Sequence, residues 1–376
     1  MDLELYHIIE SMAEVETWKE SFAVIEKSVS EAMNAVDFKS YSHITIIGNG
    51  SSLYAGMYGG AIFEEICHVT TTLYEGANGL YIPKNIINKS LVLALSNSGN
   101  SPTVCLSAEK AKNMKAPVIA ITSNPNSKLA KIADRSIIFN GRTDTVPTKT
   151  KSYIETTVTL FIIAKAIANA KGLTYSQDFE GSFEKCRQSI GKIISMAETV
   201  IKPIAEQYVD CPSFTILGSG YNMSTVYEGS LKITEIGWID SSGFELENYM
   251  HGRFRGSSQK IPYIIIAPNS KSFIYTINFL ALAKRKNIDT IVITDKVSDE
   301  LKFLATHVIE MDTLDEIFTP MVYPVPLYLL GTFLGLAHGR KDPSSRGGDP
   351  QAQVVNADEI FPELEDYLKR IREEGL

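Results

Sequence analysis

LALSNSGNSPT, residues Leu93 to Thr103, changes character at its fourth position. An apolar run of strand type, Leu91 to Leu95, stops at Ser96, Asn97, Ser98, Gly99, Asn100 and Ser101, and a helical pattern starts at Pro102. Short donors between a strand end and a helix N-terminus offer what a phosphate requires: free backbone N–H groups, the positive end of a helix dipole and hydroxyls that do not crowd. An ordinary strand-to-helix turn with an N-cap serine fits the same residues.

Outward from this loop the chain repeats one rhythm. Upstream, the residues predict a strand over His43–Ile47, a glycine loop, a helix reaching about Ile66, and a strand over Thr70–Tyr74. Downstream, they predict a helix over Pro102–Met114, strands over Pro117–Ile121 and Ser136–Phe139, and a long apolar helix over Tyr153–Lys171. Strands of β-branched residues alternating with helices imply an α/β fold whose parallel sheet is covered on both faces.

A second round begins near Gly191: helix Ile194–Tyr208, strand Ser213–Leu217, the loop GSGYN, helix Ser224–Ile236, strand Tyr263–Ala267, helix Phe273–Arg285 and strand Thr290–Thr294. Both rounds open with strand, Gly-x-Gly and helix, which points to internal duplication. Where the first carries SNSGNS the second carries APNSKS, so one complete phosphate loop is expected. The expected layout is an N-terminal helical segment at 1–38, domains at 39–190 and 191–345, and a tail with a helix, Phe361–Arg372, at 346–376.

Composition narrows the class. A formal charge of −8 with no long Lys/Arg run argues against a nucleic-acid surface. The N-terminus has no basic region leading into an apolar core, so no secretory signal is read there, and no apolar window approaches the length of a membrane span. Cys67, Cys105, Cys186 and Cys211 lie far apart without CxxC spacing and read as reduced thiols of a cytoplasmic protein. The histidines show no metal-ligand spacing, and no metal or organic cofactor is expected. IIGNGSSLYAG invites a dinucleotide reading, with Glu75 at a plausible ribose distance, but the third fingerprint glycine is Leu53. Ser51 and Ser52 at that helix start suit a small phosphate or sugar instead.

Taken together, GNGSS, SNSGNS and the duplicated α/β pattern resemble the SIS (sugar isomerase) family of phosphosugar enzymes and sensors. The resemblance runs from about residue 40 to 345 and implies two tandem SIS-type domains, each a parallel sheet flanked by helices. By position it implies that Ser96, Asn97, Ser98 and Ser101 hold the sugar phosphate, with Ser52 contacting sugar or phosphate and Ser51 nearby. YEGSLKITEIGWIDSSGFELENYMHGR resembles the segment of the isomerase domain of glucosamine-6-phosphate synthase, and of fructoselysine 6-phosphate deglycase, that carries a catalytic glutamate and a histidine in an HGP turn. By that match the glutamate is Glu235 and the histidine His251. PTKTKSYIE resembles the family's STKxYT helix start, which brings Thr150 and Lys151, beside Ser152, toward the ligand, although a helix cap fits these residues equally. The family often places this histidine in the neighbouring subunit's site, implying a homodimer or higher homo-oligomer.

Read without the resemblance, Glu228, Lys232 and Glu235 form one helical face at i, i+4 and i+7 and describe a solvated ion-pair ladder. His251, four residues after Glu247, is within reach of an orienting carboxylate if the stretch is helical. Three departures from the family stand out. Arg253 replaces the proline of HGP, no glutaminase domain is read ahead of the first sugar domain, and the tail SSRGGDPQAQVV lacks the synthase's ring-opening lysine. What remains is C1/C2 proton transfer on an open-chain 6-phosphosugar, in which binding of the remote phosphate fixes geometry. The expected function is a deglycase of a 6-phosphorylated ketosamine such as fructoselysine 6-phosphate, with Arg253 available to an α-carboxylate. The alternatives are an aldose/ketose or amino-sugar phosphate isomerase or deaminase, and a non-catalytic sugar-phosphate sensor.

Overall fold

A computed structural model describes residues 17–139, 148–175 and 178–339, with Lys369 and Glu373. The expected helical start before residue 17, the polar tail from residue 340 and the helix Phe361–Arg372 lie outside the described residues. Two compact units are resolved: one holds 19–139 and 155–175, the other 148–154 and 178–339.

In the first unit, helix α1 (Thr17–Ala35) precedes β1 (His43–Gly48), α2 (Ser51–Cys67), β2 (Thr70–Glu75), α3 (Lys84–Ile87), β3 (Ser90–Leu95), α4 (Pro102–Asn113), β4 (Val118–Thr122), α5 (Lys128–Ile132) and β5 (Arg135–Ile138). The five strands are parallel in the order β2-β1-β3-β4-β5. Every residue of β3 is buried. A central strand covered on both faces must be apolar at successive positions, which is why SLVLAL shows no alternation. Each buried aliphatic side chain there contributes about 1.5–3 kcal/mol by leaving water. Helix α6 (Lys151–Ala170) gives its first turn to the second unit and its remainder to this one.

The second unit continues with α7 (Phe179–Ser195), a π turn (Ala197–Ile201), α8 (Lys202–Gln207), β6 (Ser213–Gly218), α9 (Met223–Gly237), β7 (Asp240–Glu245), α10 (Leu246–Met250), β8 (Tyr263–Ile266), α11 (Phe273–Arg285), β9 (Thr290–Thr294), α12 (Asp299–Leu304), β10 (His307–Glu310) and α13 (Pro324–Ala337). Its parallel sheet has the order β10-β9-β8-β6-β7, which from the opposite edge is the order of the first sheet. Two parallel five-stranded sheets of one topology, each flanked by helices, are what duplication of an α/β unit produces.

Several elements depart from the sequence reading. The single helix expected over Ile194–Tyr208 is instead the end of α7, the π turn and α8. Pro203 lacks the N–H that an uninterrupted helix would need and sits in the first turn of α8. Strands β7 and β10 carry little sequence signal because they are edges: DSSGFE has one large apolar side chain and HVIE is four residues long. Two segments, Lys151–Ala170 and Glu316–Ala337, are long and apolar enough to cross a membrane, with mean hydropathy 1.2 and 1.5, contrary to the expectation that no such window exists. Burial of 78% and 100% of those windows supplies the other reason for such composition, a core helix apolar on all sides. Gly229 lets α13 close on α9: a Cβ there would stand 2.1 Å from Leu327 Cδ1.

Candidate active site

The serine loop is built by the strands that flank it. Ser96 N–H donates to Ile121 O at 3.1 Å, continuing the β3–β4 ladder past the strand end. The Asn97 carbonyl accepts from Ser123 N at 3.0 Å and from the Thr122 and Ser123 hydroxyls at 2.9 Å each. Gly99 N–H donates to Ser96 O at 3.0 Å and Gly99 O accepts from Leu129 N at 2.9 Å. The backbone of the loop is thus fixed before any ligand arrives.

Its side chains are less committed. Ser98 is exposed and its Oγ accepts from Asn100 N at 3.3 Å. Asn97 Oδ1 is buried with no hydrogen-bond partner among the described residues, a condition that buried polar atoms seldom tolerate. Ser101 occupies the cap position of α4, yet its side chain makes no cap bond. Its Oγ instead accepts from Asn49 Nδ2 at 3.0 Å, and the same amide donates to Thr103 Oγ1 at 3.1 Å. The simple N-cap reading of Ser101 therefore fails, and the GNG loop is tied to the serine loop through Asn49. Ser51 and Ser52 open α2, both half-buried.

Gly99 is required at the bend. Its φ is +66°, and a Cβ would lie 2.1 Å from Ser127 Oγ, the atom that caps α5 by accepting from Ala130 N. Gly99→Ala should cost about 2–4 kcal/mol from left-handed strain plus overpacking, read as a lowered urea midpoint with unchanged slope.

In the second unit, two of the three ladder members on α9 are buried, which corrects in part the solvated ladder that spacing alone described. The Glu228 and Lys232 side chains are 0% and 2% exposed, whereas Glu235 is 41% exposed. Lys232 Nζ lies 2.6 Å from Glu235 Oε2 and 3.7 Å from Glu228 Oε1. Tyr328 on α13 donates its hydroxyl to Glu228 Oε1 at 3.2 Å. Tyr153, buried in the first turn of α6, has its hydroxyl pKa raised by burial and by the Glu228 charge, against a hydrogen bond with Ser224. The ladder thus runs from a sealed carboxylate through a sealed ammonium to one carboxylate that solvent reaches. Thr150, Lys151 and Ser152 are buried at the start of α6.

His251 follows α10 and is 71% exposed. Its Nε2 lies 2.8 Å from Glu247 Oε1. A carboxylate only accepts, so Nε2 carries the proton and donates. The contact between His251 and Glu247 that a helical stretch would allow is present. Arg253 stacks on Phe244, its Cζ 4.3 Å from the ring centroid. Glu228, Tyr153 and Tyr328 were absent from the predicted site. The i, i+4, i+7 spacing gave the ladder's existence, but nothing local announced that two of its members are buried.

At the end of β7, Glu245 accepts from Ser219 Oγ at 2.7 Å and from Asn248 N at 2.6 Å. Burial alone would raise its pKa, but these bonds, with the Glu247 and Leu246 N–H groups, outweigh it and hold the carboxyl below its ordinary value. A depressed folded-state pKa gives stability that is present above the unfolded value and lost as pH falls through the folded one. Glu245→Gln should therefore lower stability at neutral pH and flatten the acid limb of a stability–pH curve below pH 4.5.

Residues 37–168 match the model of the SIS domain. The chain is 26% identical over 309 residues to glutamine–fructose-6-phosphate aminotransferase (isomerizing) of Thermococcus kodakarensis, covering 81% of this chain and 51% of that protein. It is 27% identical over 314 residues to the protein of the same name from Pyrococcus horikoshii, covering 83% and 52%. The chain thus spans about half the length of these curated relatives. Among solved structures, the C-terminal domain of glucosamine-fructose-6-phosphate aminotransferase from Francisella tularensis superposes with TM-score 0.73 at 22% identity, covering 85% of this chain and 95% of that one. Tagatose-6-phosphate ketose/aldose isomerase from Escherichia coli gives 0.68 at 16% identity, covering 89% and 94%. At these identities the structural likeness concerns the fold.

Proposed function

From the premise that this chain carries a SIS domain and is homologous to the isomerase domain of the glutamine–fructose-6-phosphate aminotransferases, we propose that it is a deglycase of 6-phosphorylated ketosamines. The observation that carries the reading is the α9 ladder, in which a sealed lysine holds one solvent-reached carboxylate, Glu235, at 2.6 Å. A carboxylate fixed in this way is suited to accept a carbon-bound proton.

In this reading Ser96, Asn97, Ser98 and Ser101 hold the phosphate, with Ser51 and Ser52 beside the sugar. The ketosamine has its carbonyl at C2 and a secondary amine at C1. Glu235 removes a C1 proton and the electron pair forms the C1–C2 double bond of an enaminol. Return of a proton to C2 leaves a C1 imine. Water adds to that imine and the C1–N bond breaks, giving glucose 6-phosphate and the free amine. His251, oriented by Glu247, serves proton transfer to a sugar oxygen, and Arg253 faces an aglycone carboxylate. Thr150 and Lys151 support the ladder's surroundings from the start of α6. A homodimer acting in the cytoplasm belongs to the same proposal.

Incubation with fructoselysine 6-phosphate, with free amine and sugar phosphate followed by mass spectrometry, tests it. Amine together with glucose 6-phosphate is the expected result. Ammonia release would indicate a deaminase, and ketose formation with neither amine nor ammonia an isomerase. Ser98→Ala should raise KM for the phosphorylated substrate roughly tenfold or more, the loss of one hydrogen bond to a charged group. An unchanged KM would remove phosphate binding from this loop.

A further inference from the structure

The two sheets carry the loops at their carboxyl ends in step. Ser96 N–H donates to Ile121 O at 3.1 Å and Ala267 N–H to Ile293 O at 2.9 Å, and from these bonds residues 96–101 and 267–272 run to α4 and α11 without insertion. On the neighbouring strands, Thr122 Oγ1 accepts from Asn124 N at 3.2 Å and Thr294 Oγ1 from Lys296 N at 3.0 Å. The Gly-x-Gly loops match as well, with Gly50 at φ +50° and Gly220 at φ +62°. Ser98 thus corresponds to Asn269, Asn100 to Lys271, Ser123 to Asp295 and Gly50 to Gly220.

The same backbone is used differently in the two places. Ser98 N–H makes no hydrogen bond among the described residues and stays available to an anion. Asn269 N–H donates to Asp295 Oδ1 at 2.7 Å, whereas Ser123, at the place of Asp295, turns its hydroxyl to Asn97 O at 2.9 Å. A second carboxylate reaches the glycine loop. A Cβ on Gly220 would stand 3.0 Å from Glu316 Oε1, so that oxygen lies against the glycine itself. Glu316 opens a 3₁₀ turn, Glu316–Met321, which is tied to the loop by Asn222, whose Nδ2 donates to Thr319 Oγ1 at 2.7 Å with both side chains buried. Burial raises the Glu316 pKa and the charge of nearby Lys271 opposes that rise. A loop N–H, a glycine without a side chain and a basic group are what an anion uses. In the second unit two internal carboxylates already have all three.

We infer that the second unit is a self-liganded copy of the first, in which Asp295 and Glu316 stand where a phosphate would and keep that site closed. Each chain then holds one phosphosugar, and replacing the two carboxylates by small neutral side chains opens a second phosphate site. The inference rests on the reading of the serine loop as a phosphate site.

Equilibrium dialysis of the full chain against radiolabelled inorganic phosphate tests it, in the parent, in Asp295→Ser/Glu316→Ala and in the same pair with Lys271→Ala. About one phosphate per chain is expected for the parent and about two for the double variant, the second weakened roughly tenfold or more by Lys271→Ala, the loss of one charged hydrogen bond. Two phosphates on the parent, one on a double variant whose far-UV circular dichroism matches the parent's, or a second phosphate indifferent to Lys271→Ala would overturn the closed site. Should the double variant not fold, Glu316→Ala alone decides, since it removes a half-buried side chain and leaves Asp295 in place. Phosphate should then raise its Tm by more than it raises the parent's, because binding stabilises the native state, and equal rises would overturn the inference. No phosphate on the parent with about one on the double variant would remove phosphate from the serine loop while supporting the closed site, and none on either would overturn both.

Discussion

If the chain is the proposed deglycase, Glu235→Ala should lower amine release from fructoselysine 6-phosphate by about 10²–10⁴-fold, the usual contribution of a positioned general base, while KM for the same substrate should stay near that of the parent. The split follows from where the groups sit. Glu235 is the member of the α9 ladder that solvent reaches, and the loop assigned to the phosphate belongs to another part of the chain, fixed by its own bonds to the β4–α5 turn. Removing the carboxylate takes away an interaction made in the transition state and leaves ground-state binding in place. Glu235→Gln should behave alike, because an amide keeps the shape and cannot take the proton. Unaltered turnover in both variants would remove Glu235 as the base, whereas ligand binding without turnover in the parent and an unchanged ligand response in Glu235→Ala would favour the sensor. A large rise in KM without loss of kcat would make Glu235 a binding group.

Lys232→Met should cost about 3–5 kcal/mol of folding stability, the penalty for removing one member of a sealed ion pair. Glu228 is 0% exposed, and the Lys232 ammonium stands 3.7 Å from its Oε1. Methionine fills the volume of the lysine stem but offers nothing to the carboxylate. Replacing both members, Glu228→Gln with Lys232→Met, should recover much of the loss, since two neutral side chains of similar shape carry no stranded charge. Chemical denaturation of the two single variants and the double variant checks this. Additive losses would show that the pair is not coupled and that Lys232 acts on Glu235 alone.

The serine loop was legible because its signal is local: a strand of five buried aliphatics, then small residues, then Pro102 at a helix start. His251 and Glu247 were legible for the same reason, since four residues of one turn bring an imidazole to a carboxylate. The bond that takes Ser101 away from a simple N-cap was not legible, because its donor, Asn49, lies 52 positions away in sequence. The α9 face was misread in a related way. Spacing reports which side chains share a face, but exposure depends on what packs there. Here that is α13, whose Pro324 and Pro326 break the helical signal and whose Tyr328 reaches Glu228 from 100 residues away.

By itself, then, the sequence determined the alternation of strands and helices, the repetition of that pattern and the positions of the loops that carry hydroxyls and carboxylates. Such features follow from side-chain periodicity and from backbone preferences acting over a few residues. Only the tertiary structure decided which charges are sealed, as with Glu228 and Lys232, and which of two corresponding loop N–H groups is taken by a carboxylate, as at Asn269, while the other stays open, as at Ser98. Burial and hydrogen-bond satisfaction are properties of segments far apart in the chain, so no window of sequence contains them.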